Sequence, residues 1–238
     1  RGVTLTAAGQ RVLEFVDAQR AMEGDLLGAL RPAPAAYRGS MRIAGLSSLV
    51  PSVVLPALAP FLREHPDVQV EVHREIERGV VGALMAGRID LGLTQGPSLA
   101  PGLVDLHLGD EEFVMVESRR HRERRDVFLD VGAQDDTTEA FLAAQPARRR
   151  PRGTLNRSFV HDEAGILLGV QLGLGRAVKP RHTVPRRGAV RIDAGFVPVR
   201  KPVFLHYRCQ RYYGRLHEAV RARVEDAVRR HLADASGR

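Results

Sequence analysis

Four short polar stretches carry the residue types with which a protein holds a small polar molecule. They are Ser47-Ser48, Thr94-Gln95, Thr137-Thr138 behind the carboxylate pair Asp135-Asp136, and His161-Asp162. Hydroxyl, amide and imidazole groups both donate and accept hydrogen bonds. Each stretch stands where an apolar segment that reads as a strand gives way to a helix or a turn. A helix start adds backbone N–H groups with no partner inside the helix and the positive end of its dipole, which favour a carboxylate. Asp136 and Asp162 favour an amino group, so a zwitterion such as an amino acid satisfies both demands. The plainer reading of Ser47, Ser48 and Asp162 is that they cap helices, and one residue can do both.

Signals for covalent chemistry are poor. The sequence contains no G-x-S-x-G, Walker A, H-E-x-x-H or C-x-x-C pattern. The stretch GLGRA at 173–177 follows a helix and precedes a strand, the reverse of a dinucleotide-binding turn. His161-Asp162-Glu163 are adjacent, so their side chains diverge, and no second His/Asp pattern has ligand spacing. No catalytic residue, no metal and no cofactor is expected, and the chain does not read as an enzyme.

The composition is that of a globular protein. The 238 residues are 44% hydrophobic and 27% charged, enough for one large domain or two small ones. The net charge is +8 and almost all the basic charge is arginine, since only Lys179 and Lys201 are lysines. The arginines cluster as RRHRERR (119–125), RRRPR (148–152) and Arg186-Arg187, in loop-like stretches without interleaved aromatics. Solvated surface and a contact patch for a polyanion both remain open. The one cysteine, Cys209, excludes an internal disulfide, fits a reducing cytoplasm and is expected to be buried. No apolar run approaches the ~18 residues of a membrane-spanning helix.

The elements that must position the polar stretches follow from periodicity. Thr6 reads as the N-cap of a helix from Ala7 to about Arg31. Ala8, Val12, Phe15, Gln19, Met22, Leu26 and Ala29 form a heptad seam along it, widened by Leu13, Val16, Leu27 and Leu30. A seam followed directly by the linker RPAPAAYRG predicts a helix that pairs with a second chain, the plainer alternative being that it packs onto its own chain. Beyond it, strand 41–46, a helix containing Val50, Val54, Leu58 and Phe61, strand 67–75, helix 79–87 and strand 88–96 alternate as β-α-β-α-β, a parallel open sheet. A turn at Gly109-Asp110 and a strand 112–116 follow. A second β/α module comprises strand 127–131, helix 136–144, strand 154–160, helix 162–172 and strand 176–180, before a final amphipathic helix from Tyr213 to about Leu232. In such sheets ligands bind outside the C-terminal strand ends. There Ser47, Ser48, Thr94, Gln95, Thr137, Thr138 and His161 are predicted to line one crevice.

In this order and spacing the motifs resemble the LysR-type transcriptional regulators. RGVTLTAAGQRVLEF is similar to the end of their winged helix-turn-helix domain and linker helix, through Leu5, Thr6, Ala8 and Gly9. GSMRIAGLSSLVPSVVLPALAPFLREHPDVQVEV looks like the start of their effector-binding domain. LMAGRIDLGLTQG matches the L-x-x-G-x-x-D-x-x-[IL] element through Leu84, Gly87, Asp90 and Leu93, and GVQLGLGRAVKP matches a G-x-G-x-x-x-x-P turn through Gly173, Gly175 and Pro180. ESRRHRERRDV departs from the family by lacking a proline.

The resemblance implies an α/β fold of two Rossmann-like subdomains of periplasmic-binding-protein type behind a long N-terminal linker helix. Residues 1–38 would be the wing end and linker helix, and 39–238 the effector-binding domain. Its subdomain I would comprise 39–117 and 196–238, and its subdomain II 118–195. The resemblance also implies a cytoplasmic homodimer or homotetramer that senses a small-molecule effector, with no membrane partner. A further interface between effector domains would use helix 52–64 and strand 68–72. DNA would be read by an N-terminal domain that this chain lacks. The rival reading is a free solute-binding protein of the same two-lobed fold.

Overall fold

The computed structural model describes residues 6–30, 37–73, 77–151 and 153–236. The strand expected at 1–5 and most of the linker lie outside these residues. Helix α1 runs over Ala7–Ala29, and the Thr6 hydroxyl accepts the Gly9 N–H at 3.1 Å, as its N-cap role requires. The chain divides into two packed units. One holds the residues up to Gly109 and Pro202–Asp234, the other Asp110–Lys201.

In the first unit, β1 (Gly39–Gly45) is followed by a π-helical turn (Val50–Val54) that continues into α2 (Leu55–Glu64). The wide turn has a chemical reason. Pro51 and Pro56 have no N–H to give a carbonyl one α-turn back, and the Leu55 N–H reaches Val50 instead. Strand β2 (Val68–His73), α3 (Glu77–Met85) and β3 (Leu91–Thr94) follow, and β1 pairs in parallel with both β2 and β3. As β2 is an edge strand, Val72 remains exposed. Strand β9 (Val199–Arg208) joins β3 antiparallel, and β4 (Leu103–Ser118) lies next to β9. Alternation in β1 sends Ile43 into the core beneath α2 and the final helix α6 (Arg215–Ser236). It sends Ala44 to the opposite face, against Val80, Ala83, Leu84 and Ile89.

The second unit contains the later part of β4, antiparallel to β7 (Ala177–Pro180) and β8 (Val190–Ile192). Strand β5 (Val127–Asp130) pairs in parallel with β6 (Asn156–Phe159) and touches β7 through a parallel bridge from Phe128 to Arg176. Helices α4 (Thr137–Ala143) and α5 (Glu163–Gln171) complete it.

Two expectations are corrected. The turn expected at Gly109-Asp110 is absent: β4 passes through both residues, with Gly109 taking φ 140° inside the strand. Cys209 is exposed rather than buried, because it stands just past the end of β9.

The motif residue Asp90 has a clear task. Its carboxylate accepts the Arg42 backbone N–H at 2.8 Å and the Arg42 guanidinium at 2.8 and 3.2 Å, and its own N–H donates to the Arg42 carbonyl. This clasp ties β1 to the start of β3. At the other end, Gly45 holds φ 137°, and a Cβ there would collide with the Leu93 carbonyl oxygen. Gly45→Ala should therefore destabilise the chain by about 2–4 kcal/mol, through left-handed strain and a backbone clash. Urea denaturation reads this directly, and an unchanged midpoint would refute the close approach.

Candidate functional site

In the first unit, the end of β1 and the end of β3 lie side by side, with the Leu46 N–H donating to the Leu93 carbonyl. This brings Ser47-Ser48 next to Thr94-Gln95. Ser47 is exposed, Ser48 and Gln95 are half-buried, and the Ser52 hydroxyl donates to the Ser48 carbonyl. The helix start offers fewer N–H groups than the sequence suggests. Leu49 and Val50 both donate to the Leu46 carbonyl, and Pro51 has no N–H.

Thr94 is buried and heads a polar chain. Its hydroxyl donates to the Gly96 carbonyl at 2.8 Å and lies 2.6 Å from Nε2 of the fully buried His206. The His206 Nδ1 lies 2.7 Å from an Asp105 carboxylate oxygen, which also accepts the Ser98 hydroxyl at 2.6 Å. Burial raises the Asp105 pKa, but the bonds from Ser98, His206 and the Leu99 N–H more than offset it and leave it below the ordinary value. The order hydroxyl, imidazole, carboxylate is that of a hydrolase triad. Here the hydroxyl is buried and its proton goes to a carbonyl, so Thr94 fixes the strand ends instead of facing solvent. Sequence reasoning missed His206 and Asp105. The available signal was the alternation in β9, which places Val203 and Leu205 on one face and His206 on the other.

In the second unit, the polar residues gather beyond the C-terminal ends of β5, β6 and β7. Thr138 is fully buried, and its hydroxyl donates to Asp130 at 2.5 Å. Arg157 bridges Asp130 at 2.5 Å, Glu139 at 3.0 Å and the Asp135 carbonyl. Burial raises the Asp130 pKa, and the bonds from Thr138 and Arg157 offset part of that. Asp135, not Asp136, serves the start of α4, accepting the Thr137 N–H at 2.9 Å and the Val131 N–H at 3.3 Å. Asp162 caps α5 through the Gly165 N–H at 2.6 Å. His161 is exposed, and its ring stands beside Gly132, where a Cβ would meet it at 3.5 Å.

The structure thus brings Thr137, Thr138 and His161 together around the end of β5, with Thr138 serving to hold Asp130. Beside them stands Lys179, whose buried side chain is ion-paired with Glu163. Burial pushes its pKa down to about 8, against the pull of Asp135, Glu111, Asp162 and Asp130. The surroundings are rich in carboxylates.

Comparison with known proteins agrees with this architecture. A sequence profile described as the LysR substrate binding domain matches residues 34–229. The chain is similar to the HTH-type transcriptional regulator YofA of Bacillus subtilis, with 24% identity over 202 residues, 77% of this chain and 65% of that protein. A probable hydrogen peroxide-inducible genes activator of Streptomyces viridosporus is 31% identical over 121 residues, 51% of this chain and 39% of the relative. The chain therefore spans less than two thirds of the length of either relative.

Among solved structures, full-length LysG from Corynebacterium glutamicum with bound effector Arg gives a TM-score of 0.75 at 17% identity, covering 94% of this chain and 79% of that one. ArgP from Mycobacterium tuberculosis gives 0.74 at 19%, covering 94% and 78%. At these identities the likeness establishes the α/β fold of periplasmic-binding-protein type.

Lys179 generates a pH test. With a folded pKa of about 8 against an ordinary 10.5, it holds its proton less tightly in the folded chain than in the unfolded one. Its unfavourable contribution is complete below the lower value and is relieved as pH rises between the two. The stability of the chain relative to Lys179→Met should therefore rise between pH 8 and 10.5, by on the order of 2–3 kcal/mol. Urea unfolding of both chains across that window measures the difference, and a flat difference would contradict the burial of the ammonium.

Proposed function

The chain belongs to the LysR substrate-binding-domain family, and from that premise we propose that it is the effector-sensing part of a cytoplasmic transcriptional regulator. The observation that carries this reading is the clustering of polar side chains at C-terminal strand ends in each unit. Ser47, Ser48 and Gln95 stand there in the first, and Thr137 and His161 in the second. Thr94 holds His206 in place in the first unit, and Thr138 holds Asp130 in place in the second. The effector is a small polar metabolite. The carboxylates around Lys179 favour one that carries an amino group, and LysG, a neighbour in fold, is described with bound Arg. The regulator acts by population shift: effector binding favours one conformation of the chain and so alters how a DNA-reading domain outside this chain is presented.

Helix α1 supports a homo-oligomer, and with it the regulator over a free solute-binding protein. Another face of it packs within the first unit, where Asp25 accepts the Tyr212 hydroxyl at 2.6 Å, and Ala21 lies against Gly214. The heptad seam is left outward, with Val12 62%, Phe15 68%, Met22 51% and Leu26 59% exposed. A row of large apolar side chains this exposed needs a partner, and the same helix of a second chain is the occupant. A further contact between effector domains runs through helix 52–64 and strand 68–72, where Leu55 and Val72 are exposed.

Two outcomes are expected. An effector found by thermal-shift screening of amino acids and related metabolites should bind Ser48→Ala about 0.5–1.5 kcal/mol more weakly. His161→Ala should also weaken binding without unfolding the chain, while Arg149→Ala leaves affinity unchanged. Calorimetry decides, and full affinity in both site variants would place the effector elsewhere. Replacing Phe15 and Met22 together by Glu should convert a dimer at micromolar concentration into a monomer in sedimentation. A monomer for the unaltered chain would overturn the pairing of α1.

A further inference from the structure

The second unit has another feature at the opposite ends of the same strands. Residues at and before the starts of β5, β6 and β7, together with the turn after β8, line an open depression of about 700 Å³, within the size range of small-molecule sites. Its wall carries Arg125, Arg148, Arg149, Arg150 and Arg176, with Phe128 and Phe196 beneath them. Strands β5 and β6 are four residues long. The depression lies toward the N-terminal ends of these strands, and the polar residues described above stand at their C-terminal ends. The arginine cluster at 148–152, which the function proposed above leaves without a role, supplies four of the lining residues, three of them arginines.

The depression is built, and not a chance gathering of surface side chains. Gln145 is buried and ties its two walls together. It donates to the Val197 carbonyl at 2.8 Å and accepts the Val197 N–H at 2.8 Å, while its own carbonyl accepts Arg150 Nε at 2.8 Å. Arg149 lies across Gly195, where a Cβ would stand 2.7 Å from its guanidinium. Arg176 lies between two rings, 5.2 Å from the centroid of Phe128 and 5.4 Å from that of Phe196. Its Nε is buried and has no hydrogen-bond partner among the described residues. A buried donor left unmade is costly, so it marks a place for an acceptor.

The charge is only partly answered within the chain. Arg125 pairs with Glu117 at 2.8 Å and with Asp193 at 3.2 Å, and Asp193 lies 3.6 Å from Arg176. Arg148 and Arg149 are exposed and form no ion pair with a described residue. Burial, and then the nearby Arg125, hold the Arg176 pKa below the ordinary arginine value, so a bound anion relieves the crowding of cations. Planar guanidinium forks match tetrahedral and carboxylate oxyanions in bidentate fashion.

We propose that this depression binds a small phosphorylated metabolite, whose phosphate is held by Arg148, Arg149 and Arg176, at a site separate from the effector residues at the C-terminal strand ends. The concave shape of the depression suits a compact phosphate and disfavours a rigid, extended polyanion such as duplex DNA.

The probe is inorganic pyrophosphate, titrated calorimetrically into the 238-residue chain. Saturable binding of one pyrophosphate per chain is expected. The double variant Arg148→Ala/Arg149→Ala, at exposed positions that leave the fold intact, should weaken it at least tenfold. Arg186→Ala/Arg187→Ala, which removes the same charge outside the depression, should leave it within twofold. Three results would overturn the proposal: no saturable binding, equal losses in the two double variants, or a short DNA duplex that depends on Arg148 and Arg149 and is not displaced by pyrophosphate. The test is independent of the effector reading, because Ser48→Ala and His161→Ala should leave pyrophosphate affinity unchanged.

Discussion

The first unit depends on the pairing of β1 with β3. Two parallel strands close together in space but far apart in sequence must be held at both ends, or the register drifts. Asp90 secures one end by bonding both the backbone and the guanidinium of Arg42, and the absence of a side chain at Gly45 lets the other end close on Leu93. Everything that makes this edge useful follows from that contact. The Ser47-Ser48 turn lies beside Thr94-Gln95, Thr94 is buried against His206, and His206 is held by Asp105. A slip of one residue would turn every side chain of β1 to the other face.

The second unit solves the same problem with different groups. Asp130 is buried at the end of β5, where an unpaired carboxylate would be costly. It is answered from two elements, by the Thr138 hydroxyl at the start of α4 and by Arg157 on β6. The two threonines that the sequence marks as ligand-facing, Thr94 and Thr138, are thus both buried positioning groups. Their neighbours Gln95 and Thr137 lie nearer solvent. In both units a buried hydroxyl one residue away from the more accessible position locks the strand end.

Arginine divides between two uses. Arg42, Arg157, Arg181 and Arg191 are each spent on a carboxylate of the same unit. Arg148 and Arg149 pair with no carboxylate among the described residues, and they stand on a short 3-10 turn beside Gln145, which bonds to the turn at 195–197. The net charge of +8 is therefore not a uniform coat. Part of it is internal wiring and part is concentrated at one concave surface.

Much of this was legible in the sequence, because periodicity reports which face of an element is buried and caps report where helices begin. The alternation of strands and helices, the Thr6 and Asp162 caps, the outward seam of α1 and the family motifs were all readable that way. Distance between residues remote in sequence was not. His206 and Asp105 are 101 residues apart, and nothing local marks either as a partner of Thr94. The burial of Thr138, the exposure of Cys209, the continuity of β4 through Gly109 and the gathering of arginines before β5, β6 and β7 are likewise products of packing. Local sequence specifies backbone preference and polarity one segment at a time. Which polar groups meet, and which are left to meet something else, is decided only when the strands are laid side by side.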